Sequence, residues 1–264
     1  MKTVCITAKD NPAVKAAAKL LTSASARREA GAFLLEGVRL CEDALRCGLA
    51  VRELFVTEKA RKTYPDEVGS LTAAAGTVYE IGDAISAKLS DTVSPQGVFA
   101  VCELPSQPTL SATKSGVWLG LECTQDPANL GAMARTAEAL GVDGLLVSSD
   151  GCDPYSPKAQ RAAMGSLIRL PVVRCDDFLG EVAERKANGT EIVAAVVYGE
   201  TETLGANGFD KPTLLLIGNE GNGLSADAVK LSDRAVRIPM KGRAESFNAA
   251  TAAALFLWEM MKGR

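Results

Sequence analysis

Histidine is absent from this 264-residue sequence, and that absence excludes more than any residue present. Ser-His-Asp and Cys-His hydrolysis, imidazole-ligated metals and imidazole proton shuttles all fall away. The seven cysteines are odd in number, scattered, and nowhere spaced Cys-x-x-Cys. They fit reduced thiols in a core better than a disulfide frame or a zinc site. Long apolar runs free of charge are missing too. The longest candidate, Ala249 to Met261, is far shorter than the ~20 residues a membrane span needs. The opening Met1-Lys2-Thr3-Val4-Cys5-Ile6 lacks the apolar stretch and cleavage site of a secretion signal. The expectation is a cytoplasmic chain with no metal and no membrane contact. Its chemistry needs little acid–base help near neutral pH or gets it elsewhere, and transfer of an already activated group qualifies.

What is there is globular: 47% hydrophobic and 23% charged residues, in a length that suits two domains. The net charge of −3 is unevenly placed. Residues 1–62 hold 12 Lys/Arg against 7 Asp/Glu, whereas residues 63–110 hold 1 against 6. A basic first segment on an acidic protein suits a local footprint for a polyanion; a solvated helix surface would read the same way.

The chain divides most naturally at Pro105-Ser-Gln-Pro-Thr-Leu-Ser-Ala-Thr-Lys-Ser-Gly116, a polar stretch with two prolines. This gives domains over 1–105 and 117–264 joined by a linker, 106–116. Helical spacing covers Asn11 to Ala26 and Gly37 to Cys47. Phe33–Leu35, Glu53–Val56, Thr77–Tyr79 and Val98–Val101 read as short strands, so the first domain is a small α/β unit. In the second, strands at Val117–Leu121, Gly144–Val147, Val172–Val173, Ile192–Val197, Leu214–Ile217 and Ala235–Ile238 alternate with helices. The helices run from about Asn129 to Leu140, Ser156 to Ile168 and Phe247 to Met261. That alternation predicts a parallel sheet covered on both faces. Ligands of such sheets sit beyond the strands' carboxyl ends, here just after Val197, Ile217 and Ile238.

Three segments of the second domain carry chemistry. Leu216-Ile217-Gly218-Asn219-Glu220-Gly221-Asn222-Gly223-Leu224-Ser225 leaves a buried strand into a glycine-rich turn, where backbone can approach a ligand closely. It matches neither the dinucleotide fingerprint nor a P-loop, and taken alone it is a tight structural turn. Gln125-Asp126-Pro127-Ala128-Asn129-Leu130-Gly131-Ala132-Met133-Ala134-Arg135 opens a helix that Asp126 or Asn129 can cap. Asn129 and Arg135, six residues apart, are not on one helical face and share a site only if Asn129 lies in the turn before the helix. Ile238-Pro239-Met240-Lys241-Gly242-Arg243-Ala244-Glu245-Ser246-Phe247-Asn248 leaves a strand and reaches an alanine-rich helix with Ser246 as the expected N-cap.

In this order and spacing the three segments resemble the SpoU (TrmH) branch of the SPOUT RNA methyltransferases. Its motifs stand here as Asn129/Gly131/Arg135, as Gly218/Glu220/Gly223/Leu224, and as Ile238-Pro239-Met240 with Ser246-Phe247-Asn248. Arg161-Ala-Ala-Met-Gly-Ser-Leu-Ile-Arg-Leu-Pro171 is similar to the family's intervening segment. Arg28-x-x-Gly31-x-Phe33-x-x-Glu36-Gly37 resembles the start of the family's L30e-like substrate-binding domain. Phe247 replaces the usual leucine and keeps an apolar wall.

The resemblance implies a SPOUT domain with a trefoil knot at its C-terminal end, S-adenosylmethionine as methyl donor, and a homodimer. It implies methylation of a ribose 2′-hydroxyl, in ribosomal RNA before transfer RNA. Catalytic roles fall to Arg135, Asn129, Glu220, Ser246 and Asn248. The cofactor falls to Gly199, Ile217, Gly218, Glu220, Ile238, Met240 and Phe247, and RNA contact to Arg28, Phe33, Glu36 and Arg135. Arg135 matches the family's catalytic arginine; a guanidinium is a poor proton acceptor, so a phosphate clamp that stabilises a forming alkoxide is the expected role. Two other readings stand beside this one: an RNA-binding protein that keeps the fold without catalysis, and base methylation. A nicotinamide enzyme is disfavoured by the missing fingerprint.

Overall fold

The computed structural model describes residues 2–106 and 116–262, arranged as two compact units. One holds the described residues to Ser106 together with Tyr155–Arg169, and the other holds the rest. The boundary expected at 105 lies beside this one. The segment 155–169, assigned from sequence to the C-terminal domain, instead packs with the first unit, burying Ile168 in its core with Tyr155 against it. Most of the expected linker lies outside the described residues.

The first unit runs β1 (Lys2–Ile6), α1 (Pro12–Thr22), α2 (Ala24–Ala30), β2 (Ala32–Glu36), α3 (Val38–Arg46), β3 (Val51–Thr57), α4 (Glu58–Thr63), α5 (Pro65–Ala74), β4 (Thr77–Ile81), α6 (Asp83–Ser86) and β5 (Val98–Glu103). The single helix expected over 11–26 is two, because Ser23 takes an extended conformation and caps α2 through Ala26 N–H (3.1 Å). The sheet order is β1-β4-β3-β5-β2, with β5 antiparallel to both its neighbours. Both faces are covered. Phe33 and Leu35 of β2 enter one core with residues of α3 and α5, while Ala32 and Leu34 enter the other with α1 and α6. Four consecutive apolar residues are what a strand buried on both sides requires.

The second unit begins with β6 (Val117–Leu121), α7 (Pro127–Ala139) and β7 (Gly144–Ser148). After α8 (Pro157–Ala163) and α9 (Ser166–Arg169), which belong to the first unit, come β8 (Val172–Cys175), α10 (Phe178–Ala187), β9 (Glu191–Ala195) and β10 (Glu202–Thr203). Then follow β11 (Thr213–Ile217), α11 (Ala226–Leu231), β12 (Arg234–Arg237) and α12 (Ala249–Met261). The helix expected over 156–168 is interrupted by Met164 and Gly165, both at positive φ. Among the described residues, seven parallel strands lie in the order β10-β12-β9-β11-β6-β7-β8. Strands β6 and β11 are buried throughout, as a central parallel strand must be.

Two features of this sheet position the site. Helices α7 and α12 pack against each other, although more than a hundred residues of sequence separate them. Strand β12, last in the chain, lies between β9 and β10, which the chain joins directly through 196–201. A strand late in the sequence thus takes its place between two strands that the chain has already joined.

Candidate active site

A cavity of about 460 Å³ opens at the carboxyl ends of β9, β11 and β12, where the parallel sheet predicts a ligand. Its apolar wall is made by Ile217, Ile238, Met240, Phe247 and Phe256, and its polar rim by Asn219, Glu220, Glu245 and Ser246. Tyr198 stands at the rim, 76% exposed, and Met240 and Phe247 are partly open as well. Large apolar side chains gathered at the mouth of a polar-rimmed cleft mark a surface that something covers.

The floor is a turn closed on itself. Asn219 and Gly223 exchange backbone bonds, N–H to O of 3.0 and 2.9 Å, and Asn219 Oδ1 accepts from the amides of Gly221 (2.8 Å) and Asn222 (3.2 Å). Gly218 is obligatory here: a Cβ would meet the carbonyl carbon of Gly223 and the nitrogen of Leu224 at 2.1 Å. No side chain can enter that gap, so the backbone of the turn forms part of the wall.

Asn129, Glu220 and Asn248 form one bonded chain. Asn248 Nδ2 donates to Asn129 Oδ1 (3.0 Å), and Asn129 Nδ2 donates to Glu220 Oε1 (2.9 Å). The same carboxylate accepts from the backbone amides of Gln125 (3.2 Å) and Asp126 (3.3 Å), just ahead of α7. Partial burial works against its charge, but the Asn129 side chain and these amides outweigh it, holding Glu220 below the usual carboxylate range. One carboxylate thereby ties the glycine turn to the entrance of α7, and the two asparagines extend the tie to α12.

The cap of α12 differs from expectation. Asn248, not Ser246, is the N-cap, its Oδ1 accepting from Ala250 N–H (2.9 Å) and Thr251 N–H (3.3 Å). Asn248 has two amide ends, so its oxygen caps the helix while its nitrogen reaches Asn129. Ser246 and Phe247 are left in the loop, lining the cavity.

Other expected site residues are placed unevenly. Ile217, Gly218, Ile238, Met240 and Phe247 line the cavity, while Gly199 lies one residue beyond its rim at Tyr198. Asn129 lies inside the first turn of α7, whose N-cap is Asp126. Arg135 is therefore on a different face, exposed, and outside the Asn129–Glu220–Asn248 chain. In the first unit Arg28 is exposed on α2. Phe33 is fully buried in the core that α3 and α5 complete and cannot touch RNA; its role is core packing. Glu36 is half-buried and accepts from Ser90 Oγ (2.6 Å) and Thr92 Oγ1 (2.7 Å).

Sequence reasoning missed two contributors. Asn219 shapes the turn and also donates from Nδ2 to Cys123 O (2.9 Å); its signal was an asparagine inside a glycine cluster, the residue of side-chain-closed turns. Cys123 sits after β6 at φ 54, rare for a side-chain-bearing residue. Its amide donates to Ser148 Oγ (2.7 Å) and its thiol to Asp150 (2.7 Å). The Asp150 bond, with burial, pushes the thiol up to about 11. Nothing in the sequence flags a cysteine for that conformation. Among the described residues no cluster of side chains could hold a metal ion, and no helix is long and apolar enough to cross a membrane.

Fold and cleft together define a parallel α/β enzyme of the kind whose ligand lies against strand-end turns, with a smaller α/β domain before it. Residues 116–258 match the model of the SpoU rRNA Methylase family, and residues 11–100 match an MRM3-like substrate binding domain. The chain belongs to the SpoU rRNA methylase family. It is 33% identical to 23S rRNA (guanosine(2553)-2′-O)-methyltransferase RlmP of Bacillus subtilis, over 92% of this chain and 93% of that one. Identity is 35% with 23S rRNA (uridine(2479)-2′-O)-methyltransferase of Streptomyces viridochromogenes, covering 93% and 88%. The AdoMet-bound rRNA methyltransferase from Sinorhizobium meliloti superposes with a TM-score of 0.86 at 30% identity, over 97% of both chains.

Proposed function

We propose that this protein methylates a ribose 2′-hydroxyl of ribosomal RNA with S-adenosylmethionine as donor. The observation that carries the reading is the bonded chain Asn248–Asn129–Glu220 beside the closed glycine turn, on a cavity of about 460 Å³. The residues fit the donor. Ile217, Ile238, Met240 and Phe247 offer an apolar wall to a flat ring, and the steric demand at Gly218 leaves bare backbone for polar contact. Bound there, the donor supplies a methyl group already activated on a sulfonium. What remains for the protein is alignment and charge.

Glu220, Asn129 and Asn248 hold α7, α12 and the turn in register, so that the cavity keeps one shape as RNA arrives. Ser246, exposed at the rim, positions the ribose. Arg135 clamps the adjacent phosphate and stabilises the forming alkoxide, as a guanidinium does for oxyanions. The working unit is a homodimer. Leu255 and Trp258 are exposed on α12, the latter by 62%, and α12 packs on α7, the helix that carries Arg135. An exposed apolar pair on the helix that packs against α7 supports a second copy there, which would add to the surroundings of Arg135.

The test is transfer of tritiated methyl from S-adenosylmethionine to unmethylated ribosomal and transfer RNA, followed by digestion. Label in alkali-resistant dinucleotides from ribosomal RNA is expected. Label on a base would overturn the chemistry, and absence of both label and donor binding would leave an RNA-binding protein.

A further inference from the structure

A second cavity, about 290 Å³, lies wholly within the first unit. Glu36 lines it from the end of β2, Arg39 from the first turn of α3, Thr92 and Gln96 from the segment before β5, and Arg161 and Met164 from the segment that joins this unit late in the sequence. The Glu36-Gly37 and Arg161–Gly165 stretches, singled out separately in the sequence, therefore meet at one hollow.

Its polar wall has an open acceptor. Glu36 Oε1 is taken by Ser90 and Thr92, whereas Oε2 is buried with no partner among the described residues. A buried carboxylate oxygen without a donor is costly unless a ligand supplies one. Its apolar wall is Met164, 45% exposed and held at φ 52. A non-glycine residue in that conformation marks a turn fixed by its surroundings. Here Arg169 bonds both Met164 O (3.2 Å) and Asp43 (2.9 Å), while Arg161 forms two bonds to Asp91. An exposed thioether is a surface on which flat rings stack, and Arg39 adds positive charge at the exposed rim.

We infer that this cavity receives one unstacked, amino-bearing nucleobase of the RNA substrate. The base stacks on Met164 and donates its exocyclic N–H to Glu36 Oε2. Proteins that read single-stranded RNA use this pairing of stacking and edge contact. Adenine, cytosine and guanine carry an amino donor and uracil does not. The inference rests on the RNA reading above and adds to it a subsite remote in sequence from the methyl-transfer cleft.

The experiment measures affinity of the full chain for single-stranded decamers of adenylate, cytidylate and uridylate, with S-adenosylmethionine binding and melting followed in parallel. Glu36→Gln keeps an acceptor for Ser90 and Thr92 but can place an amide N–H where the open oxygen stood. It should weaken the adenylate and cytidylate decamers about tenfold and leave uridylate unchanged or tighter. Met164→Ala, at an exposed position, should weaken all three by about threefold to tenfold without altering the melt, and carries the test should Glu36→Gln misfold. Equal loss for every decamer in Glu36→Gln, no loss in either variant, or a parent chain that binds none would overturn the subsite. Failure of the parent to bind S-adenosylmethionine, with decamer selectivity intact, would instead count against the methyltransferase reading alone.

Discussion

Gly218→Ala isolates the claim that the cleft is shaped by backbone. The added methyl would stand 2.1 Å from two backbone atoms and 2.3 Å from the Gly223 oxygen. Ordinary carbon contacts begin near ~3.5 Å, so one side of the turn must retreat by more than an ångström. No flexible side chain can yield in its place, and the nearest give is the Asn219–Gly223 pair. Opening it forfeits two backbone bonds worth ~1 kcal/mol each, and the crowding that remains adds about 1 kcal/mol. A total of about 3 kcal/mol corresponds to a melting point lower by roughly 10 °C for a unit of this size. The displaced turn also carries Glu220, so S-adenosylmethionine affinity should fall at least about tenfold, a loss of ~1.4 kcal/mol. Differential scanning calorimetry and titration calorimetry read the two effects separately. A variant that melts within about 2 °C of the parent and binds the donor normally would refute the argument from the closed turn.

Asn129→Ala removes both links of the Asn248–Asn129–Glu220 chain. Single-turnover methyl transfer should slow about 10²-fold, as misplaced groups do, while donor affinity in titration calorimetry changes little. Arg135→Lys keeps charge but loses the planar fork, and should cost about 10²-fold in turnover; near-normal methylation of RNA would sink the clamp. Glu220 titrates below its ordinary 4.5, so its contribution to stability is complete above that value and is lost as pH falls through the lowered folded value. Calorimetric melts from pH 6 to 3 should show Glu220→Gln losing its deficit against the parent in that acid range. Cys123, with its thiol pushed to about 11 by Asp150 and burial, should alkylate at pH 8 more slowly than exposed Cys5. Asp150→Asn should close that gap, as mass-spectrometric footprinting would show.

The buried strands were legible because composition and burial coincide there. Val117–Leu121 is apolar from end to end, as only a strand covered on both faces can be, and it is the observed β6. The same rule bears on Phe33: the run Ala-Phe-Leu-Leu of β2 has no outward side, so its aromatic ring packs inward. The RNA role drawn from resemblance ignored that pattern. Other features were beyond local rules. Ser246 and Asn248 are both good caps, and the structure uses Asn248, whose side chain also reaches Asn129, 119 residues away. Met164 breaks its helix although methionine favours helices, because Arg169 and Asp43 hold the turn. The closure of Glu220 onto α7 required knowledge of which strand ends are neighbours, which periodicity does not carry.

The insertion of β12 between β9 and β10 has a consequence for the order in which the protein is made. Ile238, Met240 and Phe247, which wall the cavity, and Asn248, which locks α12 to α7, all follow that strand in the chain. While they remain inside the ribosome the emerging sheet has an open slot and no donor site. Synthesis at ~5–20 residues per second leaves the first unit and most of the second many seconds in which to settle around that slot. Binding competence therefore begins only after the segment following β12 has emerged and docked. The donor pocket is thus the last part of the second unit to close, and it closes around strands that have already settled.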